Sequence, residues 1–534
     1  MDVSRRAVLK LGTLGTVGAA ALGLPLGQTV FAKSASKISS SRMPKPYGTA
    51  FVRPPVLTPY ETSVGADGAP VQTYSLVQRP GTTTIASGLQ TPVYGFNGIF
   101  PGPTIEVEQG TRVRLKMRNK MPATHPQLGH VYNTSTHLHG SASLPQYDGY
   151  ASDVTYPGYV KTYQYPNFQP GRTLWYHDHG VHHTAENAYS GLVALYLMHD
   201  PVERALLPQG EFDVPLVIND VMLAADGSLG FDDNSHSGLY GDIILVNGRP
   251  WPVMKVKPRV YRFRVLNASI SRSLRLTLST GDPVHFVATD GGLMPVSRPV
   301  TTWRHAGAER YEVLIDFSKY KPGTRVELRN LSNPNNVDFD YTNKVMAFDV
   351  TAEPVDTSDP TWKTIPQTLA GSTAMSLTAA DAVKKRDLRL HRDNGTWVIN
   401  GTTWEDVIES GYRKVLADPD LNDVELWEIE NRSGGWYHPL HIHLVDFQIL
   451  SRNGRAPFDW ERGPKDVVYV GENETVRLLM KFEHNRGKYM VHCHNLPHED
   501  HDMMGQFSVG MKDVEVDVND PLTADPCTVD TEVG

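Results

Sequence analysis

An all-β fold of three tandem β-sandwich domains is predicted by three observations. The chain has 534 residues, enough for about three domains of ordinary size. Glycine and proline are plentiful, at 45 and 38, while charged residues make up only 21%. With recurrent Val, Thr and Tyr, this balance favours strands and turns over long helices. One pattern also occurs three times: an Asn-Gly turn, then an alternating strand that closes on an asparagine.

The copies begin at Phe96-Asn97-Gly98, Val246-Asn247-Gly248 and Ile399-Asn400-Gly401, and end at Asn119, Asn267 and Asn431. In the first, Val113, Leu115 and Met117 alternate with Arg112, Arg114, Lys116 and Arg118; in the second, Val260, Phe263 and Val265 sit among Arg259, Arg262 and Arg264. The third copy carries an insertion before Val424 to Ile429. A period of about 150 residues is too long for a solenoid unit and fits whole sandwich domains.

In chain order, residues 1–40 read as a twin-arginine signal peptide. Ser4-Arg5-Arg6-Ala7-Val8-Leu9-Lys10 leads into a Gly/Ala/Leu-rich apolar stretch to Leu26, and Val30-Phe31-Ala32 offers a small-residue cleavage site. The stretch is short and glycine-rich for a membrane span of about 20 residues. Export by the twin-arginine machinery to the periplasm or the outside is therefore expected. The first domain is placed at 45–205, the second at 206–352 and a linker rich in Pro, Thr, Ser and Asp at 353–385. The third domain spans 386–513, and a loosely held acidic tail 514–534. Net charge is −8, so nothing resembles a basic nucleic-acid footprint. The expected state is a monomer.

The chemistry concentrates in histidines and one cysteine. Only two cysteines exist, Cys493 and Cys527. If Cys493 binds metal, Cys527 has no intrachain partner and no disulfide framework forms. Cys493 lies between His492 and His494, with His498 and Met503 following. Two histidines, a cysteine and a weak axial methionine make a blue-copper ligand set. In an extended segment Cys493 faces one way and its two histidine neighbours the other. His438-Pro439-Leu440-His441-Ile442-His443 repeats this parity, so His438 supplies the missing ligand beside Cys493, His498 and Met503.

Of 21 histidines, eight form His-x-His pairs: His137/His139, His177/His179, His441/His443 and His492/His494. Each pair presents two imidazoles on one strand face, and imidazole suits copper, zinc and iron. Two pairs lie in the first domain and two in the third, so they are expected to meet where these domains touch. His182, His183 and His501 fall outside the pairs and read as supporting or surface groups. Trp436 and Tyr437 precede His438 and are read either as a lining of the donor's approach or as packed core.

These motifs resemble those of three-domain multicopper oxidases. They are His137-Leu138-His139-Gly140, Trp175-Tyr176-His177-Asp178-His179, His438 to His443, and His492-Cys493-His494 with His498 and Met503. Residues 495–504 (NLPHEDHDMM), 443–447 (HLVDF) and 246–252 (VNGRPWP) bring the chain nearest to the bilirubin oxidase and spore-coat laccase branch. The resemblance covers nearly all of the mature chain and implies cupredoxin-like Greek-key domains and four copper ions. It places type 1 copper on His438, Cys493, His498 and Met503. Type 2 copper falls to His137 and His441, and the type 3 pair to His139, His177, His179, His443, His492 and His494. It also implies four one-electron oxidations of a small phenolic, aromatic or tetrapyrrole donor coupled to reduction of O2 to water, with Asp148 and Glu499 supplying protons. Two other readings are a metallo-oxidase acting on Cu(I) or other metal ions, which the absence of a dense methionine run argues against, and a copper-free scaffold.

Overall fold

A computed structural model describes residues 35–334, 336–512 and 520–532. The apolar core of the expected signal peptide therefore lies outside the described residues. Among those described, the longest helix, Thr184–Ser190, has seven residues, and six β-sheets carry the architecture.

The sheets pair into three sandwiches. Pro70–Thr83, Arg112–Asn119 and Tyr159–Tyr165 centre one sheet, and Ile105–Glu108, Val193–His199, Arg172–Asp178 and Thr136–His139 form its partner. Tyr74, Leu76, Val113 and Leu115 from the first meet Leu138, Leu174 and Tyr196 from the second in one apolar core. Residues 213–350 build a seven-stranded and a five-stranded sheet around a second core. Residues 384–509 build a five-stranded and a four-stranded sheet around a third.

The threefold sequence pattern has a local physical cause. In each copy the first strand of the hairpin that leads to the Asn-Gly turn runs parallel to the strand that ends on the closing asparagine: Pro70–Thr83 with Arg112–Asn119, Asp213–Val221 with Val260–Asn267, and Lys384–Asp393 with Val424–Asn431. Asn97, Asn247 and Asn400 sit at φ 55, 51 and 54°, a left-handed conformation that asparagine tolerates. Their side-chain oxygens accept the backbone N–H of Val77, Val217 and Arg389, at 3.0, 2.8 and 2.7 Å. The closing asparagines also do one job three times. Asn119, Asn267 and Asn431 are fully buried and accept the amide two residues on, from Met121, Ser269 and Ser433. Each donates to loop carbonyls, those of Tyr132 and Thr155, Arg272 and His305, and Trp436 and Gly471. A buried amide thus satisfies carbonyls that loops would leave bare.

Three features depart from the sequence reading, and one adds to it. Arg262 and Arg264 are buried, bridged to Glu203, Asp213 and Glu312. Charge pairing across the domain boundary, from Glu203 of the first unit, makes their burial tolerable. The amino-terminal 40 residues are not all outside the fold. The backbone amides of Ala35 and Ser36 donate to the carboxylate of buried Asp242, and Lys37 pairs with Leu223. The stretch 353–385 lies along the second unit, where Thr368 bridges Val296 and the carbonyl of Trp362 accepts from Val260. Part of the acidic tail is also held: Thr528–Val529 adds to Tyr159–Tyr165, and Asp530 pairs with Arg118 at 2.8 Å.

Candidate metal centres

The outer strand of one four-stranded sheet, Thr136–His139, pairs His137 with His177 on Arg172–Asp178. In the third unit, His438–Ile442 pairs His441 with His492 on Gly487–Cys493. These two sheets face each other across the contact between the first and third units. All eight paired histidines are at most 2% exposed. Rings of His137 and His443 stack at 4.0 Å, and those of His139 and His441 at 3.6 Å.

On most of the eight histidines the outward nitrogen is anchored and the inward one is not. Nδ1 of His137 bonds the carbonyl of Asp148, Nδ1 of His441 that of Asp466 and Nδ1 of His177 that of Asp178. Nδ1 of His443 meets Oδ2 of Asp148 at 2.7 Å, and Nδ1 of His492 stands 2.8 Å from Oε2 of Glu499. With Nδ1 carrying the proton, each Nε2 is left as a lone pair. Those lone pairs point at one another: His179 to His492 at 3.1 Å, His443 to His492 at 3.1 Å and His441 to His137 at 3.4 Å. Nε2 of His177, Nδ1 of His139 and both ring nitrogens of His494 have no partner at all. Burial pushes His177 down to about 3 and His179 to about 4, and drives His137, His139, His441, His443 and His494 well below their ordinary value. Protons therefore do not fill the gaps. Neutral imidazoles with converging lone pairs are the metal-ligating form, and the donor set fits copper.

A second group lies on the opposite face of the same strand. Nδ1 of His438 is 3.3 Å from Sγ of Cys493, Nδ1 of His498 is 3.7 Å from it, and the two nitrogens are 3.2 Å apart. The centre of that triangle lies about 2 Å from each donor, the length of a metal–imidazole bond. Burial pushes the Cys493 thiol well up, so a bound cation is what makes it a thiolate. The amide of Asn495 already points at Sγ, at 3.4 Å. Met503 is buried, its backbone bonded to His498 and Cys493.

Asp148 and Glu499 both reach the eight-histidine cluster. Burial pushes Asp148 well above the usual carboxylate range. For Glu499, burial acts upward, but His492 and His179 outweigh it and hold the group at about 2.

Three contributors escaped sequence reasoning. Asp466 touches Nε2 of His139 at 3.1 Å and is clamped by Arg310. Trp397 packs on His498 with ring centres 4.1 Å apart. None of the three sits in a histidine motif, so no local signal marks them. Trp436 is half-buried, 5.8 Å from the His498 ring. Tyr437 is instead packed: it stacks on Tyr469 at 4.8 Å and bonds Ser271 and Ser273 of the second unit. His182 is exposed near Glu405, and His501 stacks on His236.

Two stretches, residues 382–513 and 78–203, match models described as multicopper oxidase. A bilirubin oxidase from Albifimbria verrucaria is 40% identical, over 85% of this chain and 80% of its own. A laccase from Bacillus subtilis is 34% identical, over 78% and 90%. Among solved structures, a multi-copper oxidase from Pediococcus acidilactici superposes with a TM-score of 0.77 at 27% identity, covering 92% of this chain and 96% of its own. The chain belongs to the multicopper oxidase family, copper oxidoreductases with O2 as electron acceptor, and has the family's cupredoxin-like fold.

Proposed function

We propose that this is a four-copper oxidase of the laccase and bilirubin oxidase type. It takes four single electrons from phenolic, aromatic or tetrapyrrole donors and delivers them, with four protons, to O2, forming two waters. The observation that carries the reading is one strand, Gly487–Cys493, whose last residue enters the thiolate triangle while His492 and His494 enter the histidine cluster. The likeness to the bilirubin oxidase and the laccase supports the donor class.

His438, Cys493, His498 and Met503 would hold type 1 copper. His137 and His441 would hold type 2 copper. His179, His443 and His492 would hold one type 3 ion, and His139, His177 and His494 the other. Copper bound there supplies one-electron redox chemistry and a place for O2. The remaining chemistry belongs to the chain. Trp436, half-buried beside His498, offers a flat face to an aromatic donor, while the fully buried Trp397 backs the His498 ring. Two peptide links join Cys493 to His492 and His494. Asp148, whose carboxyl burial pushes up, would hold a proton at Oδ1, which has no other partner, while Glu499, kept an anion by His492 and His179, would accept and pass on protons at the rim of the cluster.

Copper analysis and O2 uptake test the whole reading. About four coppers per chain, an intense blue band and uptake with bilirubin or a substituted phenol are expected; a colourless protein refutes it. Uptake with Cu(I) alone would assign the metallo-oxidase reading instead. The proton role has its own kinetic signature. Asp148→Asn and Glu499→Gln should each slow reoxidation by O2 roughly 100-fold, within the range for lost general acids. Reduction of the blue band by donor should stay nearly unchanged. Equal losses in both half-reactions would reduce the two carboxylates to scaffolding. Twin-arginine export to the periplasm or beyond rests on Arg5-Arg6 and the apolar stretch after them; finding the copper-loaded protein only in the cytoplasmic fraction would oppose it.

A further inference from the structure

A third group of donors lies outside both centres, at one end of the first unit. His183 precedes the helix Thr184–Ser190, and Glu186 follows three residues on, the spacing that puts two side chains on one helix face. His130 comes from the loop after Gly129, and its ring stacks on that of His183 at 4.0 Å. One donor atom from each of the three lies within 4.8 Å of the other two.

These donors are not satisfied by one another. Nε2 of His130, Nδ1 of His183 and Oε2 of Glu186 are shielded from solvent and have no hydrogen-bond partner. The gap from His183 to Glu186 is 3.8 Å, too long for a hydrogen bond. The next residue adds a fourth: Oδ1 of Asn187 is buried without a partner, although its Nδ2 donates to Asp178 and Asn133. Among the described residues, His183 is the sole side chain within ion-pair reach of Glu186. Leaving several buried polar atoms bare is costly. Burial and the neighbouring His183 also lower His130, which favours its neutral, ligating form.

The charge around the group also favours a cation. Asp500 approaches from the short helix Leu496–Asp500, where its carboxylate accepts the amides of Thr184 and Ala185. No lysine or arginine balances the two carboxylates through a described ion pair.

We propose that His130, His183 and Glu186 form a further metal site for a borderline first-row divalent cation of the Zn2+ type, with the Asn187 amide oxygen as fourth donor. Two imidazoles and one carboxylate are an established zinc set with room for another ligand. All three residues are half-buried rather than sealed, so an ion can enter the folded protein. Occupancy would tie the loop around His130 to the helix that holds Asp500. Asp500 adjoins Glu499 and lies two residues from His498, so the ion would brace the loop that carries both.

Zinc sulfate titrated into the copper-loaded holoenzyme tests this, read by calorimetry and by metal analysis after gel filtration. One zinc per chain should bind beyond the copper complement and raise the melting temperature. Glu186→Gln and His130→Ala should each weaken binding by at least about tenfold, with blue absorbance and copper content unchanged. Glu186→Gln is nearly isosteric and carries the test if His130→Ala does not fold. Absence of stoichiometric zinc, zinc that enters only by displacing copper, or equal affinity in the variants would overturn the proposal.

Discussion

Cys493→Ser will give a colourless protein with turnover at the no-enzyme background, while the histidine cluster retains copper. Sγ of Cys493 is the one sulfur that closes the triangle with His438 and His498. A buried serine hydroxyl has no accessible anionic form, so neither the strong metal bond nor the thiolate absorption survives. The cluster ligands come from the opposite strand face and keep their outward anchors at Asp148, Asp466 and Glu499. Copper analysis should therefore show one ion fewer per chain, and electron paramagnetic resonance should lose the type 1 signal alone. Retained blue colour, or loss of all copper, would defeat the assignment of Cys493.

Arg310→Met should destabilise the protein by about 3–5 kcal/mol, the usual consequence of stranding a buried ion-pair partner. The guanidinium is fully buried and all five of its donors are engaged. Two go to the Asp466 carboxylate, and the rest to the carbonyls of Thr173, Ala308 and Asp290. Thr173 belongs to the first sandwich, Arg310 to the second and Asp466 to the third. One side chain thus fastens all three. Asp466 in turn touches His139 and, through its carbonyl, His441. Loss of Arg310 should then lower copper in the cluster before the blue centre suffers. Arg310→Lys keeps the charge but loses the planar fork, and should fall between. A thermal melt and a copper count decide it; wild-type values for Arg310→Met would remove Arg310 from this role.

The legible parts of the molecule were those with a short sequence period. His-x-His pairs declare a strand face because alternation places both rings together. The parity of His438 and Cys493 sorts them from their neighbours by the same rule. The threefold Asn-Gly pattern was visible because each copy solves one turn locally. Asp466, Arg310 and Trp397 were invisible for the converse reason: their partners are far away in sequence, and a lone Asp after Lys465 has no period. The burial of Arg262 and Arg264 was invisible too, because alternation reports polarity, not whether another domain supplies a carboxylate such as Glu203. Tyr437 looked like a candidate for the donor's path, yet its hydroxyl is claimed by Ser271 and Ser273 of the second unit. The tail read as loose from its acidity, but Arg118 and Lys120 meet Asp530.

The strand Gly487–Cys493 lies between His438–Ile442 and Met504–Val509, hydrogen-bonded on both sides and buried on both faces over its last five residues. A slip of one residue would exchange the faces completely, because side-chain direction alternates with every step. Cys493 would then point into the imidazole cluster, and His492 would intrude on the sulfur site. Pairing on two edges makes such a slip costly, so the same hydrogen bonds that build the sheet act as an address system for two chemically different centres. A single-residue insertion between Tyr489 and His492 would be a misdelivery of every ligand downstream of it, however mild its effect on folding.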